Sequence, residues 1–223
     1  MASSAVHPCA VWRHVASGLP DICQPVLDRF AHDCREFARL AVVDGSALVW
    51  IAHAQGATGG LVYQPAETTG TVPLFATASG KAWLATLESN DAVQLVARQG
   101  GFSHADRYGP NVIRSIEVLL KELRTTSRRG YGLAVNEAEP GVTAIAAAIR
   151  SGSNGATVGT VSIAGPSARM TEARVRELAP FVTQCATELS SLWPMRPKPS
   201  IARHNRRTRP RDAAAPKDVG KAA

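Results

Sequence analysis

Aromatic side chains are scarce in this chain, at 5% of its 223 residues, and there are only four cysteines, at positions 9, 23, 34 and 185. That spacing holds no C-x-x-C pair and meets no histidine arrangement able to close a tetrahedral zinc site, so reduced thiols are expected. Long apolar runs are absent as well: the longest, such as residues 144–149, fall far short of the roughly 18 consecutive apolar residues of a spanning helix. The first stretch carries His7, Pro8, Arg13 and His14 and lacks the apolar centre of a secretory signal. These absences argue against a zinc module, a membrane span and an exported precursor. The expectation is a cytoplasmic protein with no membrane partner.

The motifs of nucleotide and acyl chemistry are also missing. Thr77-Ala78-Ser79-Gly80-Lys81-Ala82 suggests a phosphate loop, but the first glycine would fall at Phe75, and Ala82 stands where a magnesium-binding hydroxyl belongs. A nucleophile elbow at Ser79 would need glycines at Thr77 and Lys81. The histidines at 7, 14, 32, 53, 104 and 204 are scattered without orienting partners and read as surface or edge residues. Glu137 and Glu139 could serve acid/base work, yet Pro140 and Gly141 directly after them favour a solvated loop. No catalytic residue, no metal and no cofactor is expected.

What is present is a core-forming composition, 45% hydrophobic and 19% charged. The formal charge of +7 is confined to one end: residues 196–223 hold 9 basic and 2 acidic residues, and residues 1–195 carry 16 of each sign. That tail is rich in proline and lacks apolar periodicity, so it cannot offset its chain entropy by burial and is expected to be disordered. Helical periodicity marks residues 21–38, 76–87, 91–98, 111–126 and 172–192. Strand patterns flank Asp44-Gly45 and recur at 59–63, 130–135, 142–150 and 157–164. Strands are grouped with strands rather than alternating with helices, which predicts an α+β class with a mainly antiparallel sheet.

Small residues cluster where a ligand could approach backbone. Residues 76–81 open a helix whose first amides have no intrahelical partner, and Ser79 and Lys81 add a hydroxyl and a charge suited to an anion. The strands VTAIAAAIR and GTVSIAGP are similarly rich in Ala, Gly and Ser. Such side chains either receive a helix closely or leave room for a pocket.

Four stretches carry a family likeness: PLFATASGKAWLATL at 73–87, RGYGLAVNEAEPGVTAIAAAIR at 129–150, VGTVSIAGPSARMT at 158–171, and the hairpin LAVVDGSALVWIAHAQG. With the closing helix, they make the chain from about residue 16 to 193 resemble the effector-binding domain of the IclR family of bacterial transcriptional regulators. The resemblance implies a GAF/profilin-like fold, a central antiparallel sheet flanked by helices, and a small-molecule pocket on one sheet face. It implies effector contacts from Ala78, Ser79 and Gly80, from Ala134, where some members carry an acidic residue, and from Val142, Ala144, Ser162 and Ala164; Lys81 joins them through its charge at the helix start. The free amides there, with Ser79, Lys81 and the apolar lining, suggest a small organic effector, carboxylate-bearing and partly apolar, and the resemblance implies a homodimer or homotetramer. The expected organisation is an N-terminal extension over 1–19, the effector-binding domain over 20–193 and the basic tail over 194–223.

The family's winged helix-turn-helix has no counterpart in residues 1–19, so DNA contact is expected only nonspecifically through the tail, or through a helix-turn-helix missing from this chain. The tail reads either as a phosphate-binding or as a solubilising extension. Two other readings stand beside the sensor: a small hydrolase or transferase using the same pocket, for which Ser79 and Ser162 lack a histidine placed by the sequence, and an interaction protein that does not bind DNA.

Overall fold

The computed structural model describes residues 18–65, 69–152 and 155–193. The expected N-terminal extension up to residue 17 and the basic tail beyond Trp193 lie outside the described residues. Among the described residues, β1 (Phe37–Asp44), β2 (Ala47–Gln55), β3 (Gly70–Thr71), β4 (Gly132–Val135), β5 (Val142–Arg150) and β6 (Thr157–Pro166) form one sheet. Its order is β3-β2-β1-β6-β5-β4, with every neighbouring pair antiparallel. The β1–β2 hairpin turns at Gly45, whose φ of 62° lies in the left-handed region that glycine adopts without strain.

Five helices pack on the two faces of this sheet: α1 (Leu19–Cys34), α2 (Ala78–Leu84), α3 (Ser89–Arg98), α4 (Ile116–Arg129) and α5 (Glu172–Leu192). The stripe Cys23, Val26, Leu27, Phe30 and Cys34 of α1 and the stripe Val175, Leu178, Val182, Cys185 and Leu189 of α5 meet Leu40, Ile51, Ile145, Ile149 and Ile163 on one face. On the other, Trp83 and Leu84 of α2, Val96 of α3 and Leu119 and Leu123 of α4 cover Ala41 and Leu48. Each large apolar side chain taken out of water in this way contributes roughly 1.5–3 kcal/mol.

The antiparallel α+β class is the one expected, and three element boundaries are corrected. The first helix ends at Cys34 rather than continuing to residue 38, because Arg35 turns left-handed (φ 55°) and Phe37 pairs with Gln55 and Ala164 in the sheet. No strand forms over residues 59–63: Gly60 is left-handed and Leu61 is 65% exposed, so no face there is buried. The third strand is Gly70–Thr71, paired with Trp50 and Val49. The helix expected over 111–126 begins instead at Ile116, where the Ser115 hydroxyl accepts from the Val118 amide at 3.3 Å, and it ends at left-handed Gly130.

Candidate functional site

Antiparallel partners project their side chains to the same sheet face. The register therefore sets Ala134 beside Ala144, Ala144 beside Ala164, and Ser162 beside both Ala146 and Arg39. α2 lies over this patch, capped by Thr77, whose hydroxyl accepts from the Gly80 amide at 3.0 Å and donates to the Pro73 carbonyl at 2.8 Å. Between helix and sheet remains a small cavity of about 60 Å³. Of the residues expected from the sequence, Ala78, Ser79, Ala134, Val142, Ala144, Ser162 and Ala164 line it. Ser79 and Ser162 have no side-chain hydrogen-bond partner among the described residues.

Gly80 and Lys81 stand elsewhere. A Cβ on Gly80 would run into the Leu74 backbone, so this glycine lets α2 settle on the preceding loop. Lys81 is 1% exposed and its Nζ donates to Oε1 and Oε2 of Glu137 at 2.7 and 2.8 Å, with Glu122 Oε1 at 3.9 Å. Its charge is engaged there, away from the cavity. Glu137 is correspondingly not a solvated loop residue: burial pushes its carboxyl above the ordinary range, against the pull of Lys81. The helix-start amides are also fewer than the sequence suggests, since Gly80 donates to the Thr77 hydroxyl and Lys81 to the Thr77 carbonyl.

The remaining wall is Arg39, Trp50, Tyr63, Thr77, Ala138 and Glu139, none of them expected as an effector contact, although the sequence marks Glu139 as a carboxylate of a solvated loop. Arg39 is 8% exposed, and its guanidinium carbon lies 4.3 Å from the Trp50 ring centroid and 5.1 Å from that of Phe37. Its Nη2 donates to Tyr63 Oη at 3.3 Å, and Tyr63 Oη donates to Glu139 Oε1 at 2.7 Å. Arg39 Nε and Trp50 Nε1 are buried donors without a partner among the described residues. Burial lowers the arginine's proton affinity, opposed by Tyr63 and Glu139, but a guanidinium remains charged at neutral pH. Burial, then the bond to Glu139, raises the Tyr63 pKa. A signal for Arg39 did exist in FARLAVV: the charged residue shares its strand face with Phe37 and Ala41. Tyr63 and Glu139 reach the site from loops, and no local pattern announces them.

A larger groove of about 450 Å³ runs along β5 where β4 stops, between α2, α4 and α5. It contains none of the expected residues, and its one charged side chain, Arg150, donates to the Gly155 carbonyl at 3.0 Å. The smaller cavity is the one bordered by Arg39, Tyr63 and Glu139. Its lining includes no histidine, and among the described residues no group of three His, Cys, Asp or Glu could hold a metal.

The family profile described as bacterial transcriptional regulator IclR C-terminal matches residues 15–191. The chain belongs to the IclR family. Similar relatives of this IclR-type domain include the acetate operon repressor of Salmonella typhimurium, 29% identical over 171 residues, covering 76% of this chain and 60% of the relative. The transcriptional repressor IclR of Escherichia coli K12 is 31% identical over 172 residues, again covering 76% of this chain and 60% of the relative. Among solved structures, the inducer-binding domain of the PobR transcription factor from Acinetobacter, a double mutant in complex with 3-hydroxybenzoic acid, superposes with a TM-score of 0.67 at 21% identity. That match covers 78% of this chain and 98% of the other, and it supports the fold. The chain spans about 60% of the length of the curated relatives it matches. Among the described residues no helix is long and apolar enough to cross a membrane.

Proposed function

We propose that this IclR-type domain, residues 20–193, is the ligand-sensing part of a cytoplasmic transcriptional regulator and that the cavity under α2 takes a small, carboxylate-bearing, partly apolar effector. The observation that carries the reading is the cavity itself: sheet register and α2 gather seven small residues around one buried space that also holds a cation, Arg39. The regulator names of the relatives support it, as does the aromatic acid bound by the PobR domain. A hydrolase or transferase is less well supported, because the lining holds no histidine to activate Ser79 or Ser162, and its one carboxylate, Glu139, accepts from Tyr63. Homo-oligomerisation is part of the proposal, with Ile22 on α1 and Phe181 on α5, 50% and 46% exposed, as apolar candidates for the contact. DNA contact by the chain itself is assigned to nonspecific attraction by the nine basic residues of 196–223.

The test is a thermal-shift screen with aliphatic and aromatic monocarboxylates, in which a ligand at 100 times its dissociation constant adds about 2.7 kcal/mol. Ala144→Trp, which fills the cavity from the sheet side, should abolish the shift. A shift that persists in this variant counts against the site.

A further inference from the structure

Arg39 is the one cation among the cavity-lining residues, and its position is costly. A buried charge is retained where partners repay its desolvation. Here the repayment is incomplete: among the described residues Nε has no partner, the two aromatic faces offer only cation–π contact, and the single side-chain hydrogen bond runs from Nη2 to Tyr63 Oη at 3.3 Å. That phenol oxygen accepts from one of the guanidinium's five N–H donors and is itself neutral, its own proton going to Glu139 at 2.7 Å, so it leaves most of the arginine's donors unmet. The nearest anion is thus held one side chain away from the arginine. Glu139 lies on an exposed turn and reaches the arginine only through Tyr63, so it is not a direct counter-ion. The opposite wall is uncharged: Ala134, Ala144, Ala164 and Val142, with the unpaired hydroxyl of Ser162 directly beside Arg39 in the sheet.

We propose that Arg39 is the specificity-determining anchor for the effector's carboxylate, and that Glu139, bridged to it through Tyr63, restricts the site to monocarboxylates. The inference rests on the cavity being the effector site. A single carboxylate meets the guanidinium and the Ser162 hydroxyl, and its apolar remainder lies on the alanine wall. A planar guanidinium suits a carboxylate better than it suits the corresponding amide, which brings no charge. A second carboxylate on the same small molecule would enter the field of Glu139 with no further cation among the lining residues to offset it.

The experiment is calorimetric titration of the full 223-residue chain with benzoate, 4-methylvalerate, 4-methylvaleramide and 2-methylglutarate, the last replacing one methyl of 4-methylvalerate by a carboxylate. At least one monocarboxylate should bind the wild-type chain, the amide and the dicarboxylate much more weakly. Arg39→Gln should weaken acid binding roughly 10- to 100-fold, the scale of a lost charge-assisted hydrogen bond, and leave the amide unaffected. Arg39→Lys should retain part of the affinity. Glu139→Gln, a change on an exposed turn that keeps the fold, should tighten acid binding and admit 2-methylglutarate. Circular dichroism confirms that each variant is folded, and if Arg39→Gln is not, the lysine and Glu139 variants decide. Acid binding untouched by either Arg39 change but abolished by Ala144→Trp would keep the cavity and overturn the anchor. Unchanged discrimination in Glu139→Gln would overturn the monocarboxylate rule. Neither acid binding the wild-type chain would overturn both this proposal and the reading beneath it.

Discussion

Lys81 and Arg39 are both buried cations on the same side of the sheet, and their surroundings give them different work. Lys81 sits against both oxygens of Glu137, so Lys81→Met removes the counter-charge of a largely buried carboxylate. The expected loss is about 3–5 kcal/mol in urea denaturation. Effector affinity should be unchanged, because Lys81 contributes nothing to the cavity wall. The core thiols offer a second check at this scale. Burial raises the Cys23 pKa to about 11 and those of Cys34 and Cys185 to about 12. Only the thiolate is nucleophilic, so these three should resist a disulfide reagent at pH 8 in the folded protein and react once it is unfolded. Rapid labelling of any of the three in the native state would show that the packing between α1 and α5 opens.

The way α2 lies on β4 determines both the size and the polarity of the cavity. A Cβ on Gly132 would strike the Ala78 carbonyl oxygen and crowd the Ala82 amide, so the helix is in van der Waals contact with the strand at this point. Gly132→Ala should cost about 1–3 kcal/mol in thermal or chemical unfolding, the range of an overpacked core. A neutral result would mean that α2 can ride higher and that the cavity is larger than it is here. The small residues of these elements thus divide between the two uses their sequence left open. Gly132 and Ala146 of the sheet receive the helix at Ala82, and Gly80 lets it meet the Leu74 backbone, whereas Ala78, Ala134, Ala144, Ala164 and Ser162 border the cavity.

A second element-scale device is the clamp at the α1–β1 junction. Glu36, 1% exposed, accepts from Arg169 Nε and Nη2 at 2.6 and 2.8 Å, and Arg169 Nη1 donates to the Leu61 carbonyl at 2.8 Å. Glu36→Gln should lower stability by about 1–3 kcal/mol, read from the denaturation midpoint, through loss of a charge-assisted pair. Legibility followed the same physics: β5 and α5 were readable to the residue because their patterns are unbroken and bounded by turn or capping signals. The 59–63 segment was misread because it has strand composition, yet its function is to carry Tyr63 to Arg39, a contact that only tertiary structure creates.

At the scale of the whole molecule, the α+β class was legible from the grouping of strand patterns and the IclR-type domain from four stretches in the family's order, and the family match over residues 15–191 agrees with the latter. The charge of the site was not legible, since it arises from β1, a loop and the β4–β5 turn, brought together across 100 residues between Arg39 and Glu139. The charge asymmetry of the chain gives one further expectation. Nonspecific DNA affinity should fall with salt at about 0.9 log units per neutralised phosphate and vanish when residues 196–223 are removed, with effector binding retained. Affinity that survives this deletion would place a DNA-binding surface on the balanced part of the chain.

The central claim is that the cavity between α2 and the sheet holds a carboxylate against Arg39. The most direct measurement is a crystal structure of the chain grown with benzoate or 4-methylvalerate. The account predicts ligand density bounded by Ala78, Ala144 and Ala164, with the carboxylate within hydrogen-bond distance of the Arg39 guanidinium and Tyr63 turned from it. Ligand seated in the groove along β5, or in the cavity with its carboxylate pointing away from Arg39, would contradict it.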